Sequence, residues 1–103
     1  MQVATAAKRL AELGHTTRLD VFRYLVKHGR KGAPVGDIQS KLGVPGSTLT
    51  HHISRLMSVG LVEQRREGRT LYCVSRNDEL ERLIEFLKEE CCVYESGDQD
   101  SPS

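Results

Sequence analysis

The chain has 103 residues, 38% of them hydrophobic, 28% charged and 5% aromatic with no Trp, proportions that fit one small domain with a thin core and leave no room for a second. No apolar run approaches the ~18–20 residues that cross a bilayer, the start Met1-Gln2-Val3-Ala4 lacks the apolar stretch of a secretory signal, and three cysteines with two adjacent do not make a disulfide framework. A cytoplasmic protein with free thiols and no membrane association is expected. The net charge of +1 conceals two opposite segments: residues 1–76 carry 13 Lys/Arg against 5 acids, and residues 77–103 carry 2 against 9, so only the first suits a polyanionic partner.

Val3, Ala6, Ala7, Leu10 and Leu13 recur at helical spacing and predict an amphipathic helix over about 3–13, stopped by Gly14. A second helix is expected from Thr16 or Thr17, either of which can cap it, with Leu19, Phe22, Leu25 and Val26 as its stripe and Gly29 as its end. Residues 29–34 are polar and rich in breakers and read as a loop. Val35, Ile38 and Leu42 then mark a short third helix closed by Gly43. Only Gly43 and Val44 separate it from a fourth, which opens with Pro45 in its first turn and runs to Gly60.

That fourth helix buries Leu49, Ile53 and Leu56 and turns Ser47, Thr48, Thr50, His51, Ser54 and Arg55 outward. A face of short hydrogen-bonding groups with one arginine differs from the Glu/Lys mixture of a merely solvated helix. After Gly60, the runs 61–66 and 70–75 around Glu67-Gly68-Arg69 predict a β-hairpin carrying Arg65, Arg66 and Arg69 near its turn. A fifth helix follows, capped by Asn77 or Asp78, with Leu80, Leu83, Ile84 and Leu87 as its stripe and Cys91 one turn further on. The segment 95–103 has no aliphatic residue and is expected to be a disordered acidic tail to a single domain spanning 1–94.

Two helices joined by so short a turn, the second bearing short polar groups, match a helix-turn-helix whose second helix enters the DNA major groove. The basic hairpin would be a wing reaching phosphates or the neighbouring minor groove. The expected fold is therefore mainly α, a winged helix-turn-helix of order α-α-α-α-β-β-α. Ser47, Thr48, Thr50, His51 and Arg55 are candidates for contacts to bases or flanking phosphates, and Arg65, Arg66 and Arg69 for contacts to the backbone. One core of this size is marginal, and the apolar stripes at both ends of the chain would bury more surface if paired across a two-fold axis. A dimer through the first and last helices would set two recognition helices roughly 34 Å apart, on operator DNA of inverted symmetry.

The sequence resembles the ArsR/SmtB family of bacterial winged-helix repressors over about residues 3–92. The resemblance rests on Leu13-Gly14-His15-Thr16-Thr17-Arg18-Leu19-Asp20-Val21-Phe22, Val35-Gly36-Asp37-Ile38, Ser47-Thr48-Leu49-Thr50-His51-His52-Ile53-Ser54-Arg55-Leu56, Gly60-Leu61-Val62 and Arg66-Glu67-Gly68-Arg69, in the family's order and spacing. It implies a homodimeric repressor that leaves its operator when an effector binds. The family's arsenic and cadmium site needs cysteines on the helix before the turn, where this chain has Val35-Gly36-Asp37-Ile38-Gln39-Ser40. Its zinc and nickel site needs histidine on the last helix, which here has none.

Adjacent cysteines such as Cys91-Cys92 occur in an atypical arsenical-sensing branch of that family, which uses a third cysteine a few residues on; here Val93-Tyr94-Glu95-Ser96-Gly97-Asp98 supplies none. Soft thiolates select thiophilic ions, so trivalent arsenic or antimony is the candidate effector at Cys91 and Cys92, with a third ligand from solvent, a small thiol or the other subunit. Packing of Cys91 in the dimer core and a redox response are the alternatives. Cys73 lies in the hairpin, away from this pair. Neighbouring His51 and His52 diverge by about 100° and seldom chelate one ion, so one of them is expected to face DNA and the other to support the helix. No cofactor is expected for folding. Enzymatic function is disfavoured because no histidine follows Cys73 and no glycine-rich phosphate loop exists. A regulator without metal sensing and a protein-interaction adaptor without DNA affinity are the remaining functional alternatives.

Overall fold

The computed structural model describes residues 1–95. Five helices, α1 (Val3–Leu13), α2 (Thr16–His28), α3 (Val35–Leu42), α4 (Gly46–Ser58) and α5 (Asn77–Lys88), surround a small antiparallel sheet of β1 (Ala33–Pro34), β2 (Val62–Glu67) and β3 (Thr70–Ser75). The hairpin β2–β3 pairs Val62 with Ser75 through to Glu67 with Thr70, so Gly68 and Arg69 form a two-residue turn. Gly68 takes φ +64°, the left-handed first position that such a turn requires and that its missing Cβ permits.

The sheet has one strand more than the sequence indicates. Within the segment read as a loop, a 3-10 turn at Gly29–Lys31 leads into Ala33 and Pro34, which pair with Cys73 and Tyr72 at the sheet edge. Edge placement is what the proline needs, since it has no N–H for a second neighbour. Gly32 fits here because a Cβ would lie 2.5 Å from the Cys73 carbonyl oxygen, at a φ of +71°.

The core is assembled from Val21, Phe22 and Leu25 of α2, Ile38 of α3, Leu49, Ile53 and Leu56 of α4, and Leu61, Val62 and Cys73 of the sheet region. Truncating any of these large aliphatic side chains to alanine costs about 2–5 kcal/mol. The buried face of α2 is rotated from the expected stripe: Val21 is fully buried whereas Leu19 is 40% exposed. On α1 the departure is greater. Its buried positions are Ala6, Arg9 and Glu12, while Val3 and Leu10 point to solvent.

Helix ends differ from the sequence reading by a residue and in their chemistry. His15, Pro45 and Arg76 occupy the cap positions of α2, α4 and α5, and none makes a side-chain cap bond, so Thr16, Thr17, Asn77 and Asp78 lie inside their helices. Gly43 closes α3 at φ +65°, its N–H donating to the Gln39 carbonyl, and the chain turns through Val44 and Pro45 into α4. This is the tight helix-turn-helix junction. Helix α5 ends at Lys88, so Cys91 does not extend its apolar stripe. The expected tail beyond Glu95 lies outside the described residues.

Candidate nucleic-acid interface

The α3–α4 junction sets α4 across the domain with Leu49, His52, Ile53 and Leu56 inward. Ser47, Thr48, Thr50, His51, Ser54 and Arg55 are all exposed, so the spacing read from the sequence resolves into two distinct faces. The wing projects beside this helix. A groove of about 730 Å³ runs between them, walled by Thr50, Ser54 and Met57 on one side and Gln64, Arg69 and Leu71 on the other. Arg66 and Arg69 are exposed near the hairpin turn.

Two of the eight candidate DNA-contact residues are already engaged within the protein. The Arg65 guanidinium donates to the carbonyls of Arg30 (3.1 Å) and Lys31 (3.0 Å) and to Glu67 Oε2 (2.9 Å), and it lies over the Tyr72 ring at 5.5 Å. It straps the wing to the 3-10 turn. Arg55 donates from Nε to Glu12 Oε1 (3.0 Å) and from Nη2 to Glu12 Oε2 (2.7 Å). Neither partnership was readable from sequence, because Glu12 lies 43 positions away and the carbonyls belong to a backbone whose course only the sheet edge determines.

Glu12 is itself buried and receives a second arginine. Arg18 Nη1 donates to Glu12 Oε1 (2.7 Å) and to the Glu12 carbonyl (3.2 Å), while Arg18 Nε donates to His52 Nδ1 (3.3 Å). The hydrogen bonds from Arg55, reinforced by the Arg55 and Arg18 charges against the cost of burial, hold the Glu12 carboxyl below its ordinary range. Burial first, then the charges of Arg18, His15 and His51, push the His52 imidazole down, in keeping with a neutral ring that accepts from Arg18. Of the adjacent histidines, His51 is therefore the solvent-facing one and His52 the support of the helix. Arg9 completes the inner face of α1, donating to the Val59 carbonyl at the end of α4 (2.8 Å) and to Glu79 of α5 (2.8 Å).

The three thiols separate into two environments. Cys73 is buried in β3, receives Gln64 Nε2 at 3.6 Å, and has its thiol pushed up by burial. Cys91 and Cys92 are exposed in the turn after α5, with their sulfurs 2.8 Å apart and Cys92 at φ +65°. The hydrogen bond to Cys91, with smaller contributions from burial and the Cys91 charge, pushes the Cys92 thiol up. Among the described residues no group of three or more His, Cys, Asp or Glu side chains is placed to hold a metal ion, and no helix is long and apolar enough to cross a membrane.

A tight two-helix junction, a polar exposed second helix and a basic β-hairpin beside it define a winged helix-turn-helix domain. The comparisons with known proteins agree. The helix-turn-helix domain family matches residues 13–65. The putative arsenical resistance operon repressor ArsR2 of Halobacterium salinarum is 32% identical over 85 residues, covering 82% of this chain and 70% of that protein. The nodulation protein NolR of Rhizobium meliloti is 31% identical over 84 residues, covering 82% of this chain and 66% of the relative, so the chain spans about two thirds of these relatives' length. Among solved structures, the homodimeric winged helix-turn-helix DNA-binding domain of Mb0332 from Mycobacterium bovis superposes with a TM-score of 0.67 over 94% of this chain and 90% of its own. At 24% identity it speaks to the fold. The chain belongs to the ArsR/SmtB family of winged-helix transcriptional regulators.

Proposed function

We propose that this protein is a homodimeric repressor that reads an operator of inverted symmetry with α4 and grips it with the wing. The observation that carries the reading is the exposed Ser47, Thr48, Thr50 and His51 face, set by a two-helix junction beside the exposed Arg66 and Arg69 of the wing. Short hydroxyl and imidazole groups suit base edges and flanking phosphates, and the wing arginines suit the backbone. The dimer is supported by Val3, Leu10, Ile84 and Leu87, large apolar side chains of the two terminal helices that are 41–72% exposed in the single chain.

The finer reading is that trivalent arsenic or antimony, held by the Cys91 and Cys92 thiolates, releases the DNA. Two exposed sulfurs 2.8 Å apart support it, and a third ligand would come from solvent, a small thiol or the partner subunit. The ion would have to bind the DNA-free form the more tightly, and about 3 kcal/mol of difference suffices for a hundredfold loss of operator affinity.

One experiment tests both layers. A labelled duplex is selected by the full chain from a random-sequence pool, and its binding is followed by fluorescence anisotropy against salt and then against arsenite. Operator affinity is expected to fall by roughly 0.9 log unit per tenfold salt for each phosphate contact. Failure to enrich any duplex, or a flat salt dependence, refutes the DNA-binding reading. Arsenite is expected to release wild type and Cys73→Ser but not Cys91→Ser/Cys92→Ser. Wild type that stays bound at saturating arsenite, or a double mutant that releases as readily, refutes the effector reading alone.

A further inference from the structure

Arg55 stands on the exposed side of the recognition helix, yet one edge of its guanidinium, Nε with Nη2, is bound to a carboxylate from a different helix. Glu12 has 10% of its side chain exposed, against 52% for Arg55, so the acid is the fixed partner and the arginine the group drawn to it. The same carboxylate is pinned from the other side by Arg18, whose Nε reaches His52, one turn before Arg55 on α4. Four side chains from three helices thus converge at the middle of α4. Arg9, one turn before Glu12, ties the end of α4 through the Val59 carbonyl.

We infer that Glu12 and Arg55 form a positioning pair, in which a buried carboxylate on α1 sets the placement of the recognition helix and Arg55 serves the DNA through Glu12 rather than by touching it. A bidentate arginine–carboxylate contact fixes orientation as well as distance, which a single charge cannot do. Because α1 also carries the exposed Val3 and Leu10, the pair joins a terminal helix with an unpartnered apolar face to the helix that reads bases. With Glu12 bound, Arg55 has only Nη1 and the outer N–H of Nη2 left to offer a phosphate, in a direction the carboxylate already fixes, so even that contact would depend on the pair.

The inference rests on the reading of α4 as the recognition helix, and the test separates the two. The probe is the duplex selected by the wild-type full chain, and the variants are Glu12→Gln, Arg55→Gln, Arg55→Lys and the double Glu12→Gln/Arg55→Gln. Each single glutamine variant is expected to lose about tenfold in affinity for the selected duplex, with binding to random duplex and the salt slope unchanged. The double variant is expected to lose no more than either single one, and Arg55→Lys to recover part of the loss. Where Glu12→Gln fails to fold, Arg55→Gln carries the test, because it leaves Glu12 paired with Arg18. A slope reduced by about 0.9 with an equal loss on random DNA makes Arg55 a phosphate contact and overturns the inference. So does undiminished affinity of Arg55→Gln, or a folded Glu12→Gln that binds as wild type while Arg55→Gln does not. Absence of any enriched duplex overturns the recognition-helix reading, and the inference falls with it.

Discussion

His52 shows how a residue type that suggests chemistry can serve architecture instead. Its Nδ1 accepts from Arg18, and its ring lies 4.8 Å from that of His15 and 6.1 Å from that of His51. Protonation would remove the acceptor and place a cation among Arg18, His15 and His51. The folded pKa is depressed, so the unfolded chain takes up this proton first as pH falls, near the ordinary histidine value of about 6.5. Stability contributed by His52 is therefore full above that value and is lost as pH drops from it toward the lower folded value. Thermal unfolding between pH 7.5 and pH 5, as ~pH limits bracketing that histidine range, is expected to show a falling midpoint in wild type and a flatter limb in His52→Gln, whose amide oxygen can accept from Arg18 at either pH. Parallel profiles for the two proteins would refute this account.

At the scale of elements, the proposed DNA contact divides between α4 and the wing. Helix α4 offers groups that hydrogen-bond in defined directions, whereas the wing offers charge. Arg66→Ala and Arg69→Ala are therefore expected to weaken binding to selected and random duplexes by the same factor, each lowering the salt slope by about 0.9. Thr50→Ala and His51→Ala are expected to reduce discrimination between the two duplexes with the slope retained, because base-edge contacts release few counterions. Competition binding at two salt concentrations measures both quantities, and identical behaviour of the two sets would refute the division. Arg65 differs from Arg66 and Arg69 in donating within the chain, to two carbonyls of the 3-10 turn and to Glu67.

The whole molecule is left with apolar surface that a single chain does not cover. On α5 the stripe splits: Leu83 is 2% exposed and packs within the chain, while Ile84 and Leu87 are 47% and 59% exposed. Substitutions along one helix should therefore separate assembly from folding. Leu87→Glu is expected to give a folded monomer that loses tight operator binding, and Leu83→Glu to unfold the chain by burying an unpaired charge. Sedimentation velocity at micromolar concentration with circular dichroism distinguishes the two outcomes, and a monomeric wild type would refute the dimer. The fall of operator affinity expected of the Leu87 variant has a geometric origin, since on the proposed inverted operator one domain engages one half-site only.

Local pattern was enough to place all five helices, the hairpin and the two faces of α4, because apolar spacing and the glycines at 14, 29, 43, 60 and 68 act over a few residues of chain. The family resemblance was carried by the same contiguous stretches. What only the tertiary structure decided involves residues distant in sequence: β1 needed β3 to pair with, Arg65 needed the carbonyls of the 3-10 turn, and Arg55 needed Glu12. Helix α1 is the clearest case. Its hydrophobic residues at helical spacing promise an apolar inner face, yet Arg9 and Glu12 are buried while Val3 and Leu10 are exposed. Periodicity reports that two faces exist but not which one meets the core. That choice follows from the partners waiting there, the Val59 carbonyl and Glu79 for Arg9 and the guanidinium groups of Arg18 and Arg55 for Glu12, because a charged group enters a core only where another element can satisfy it.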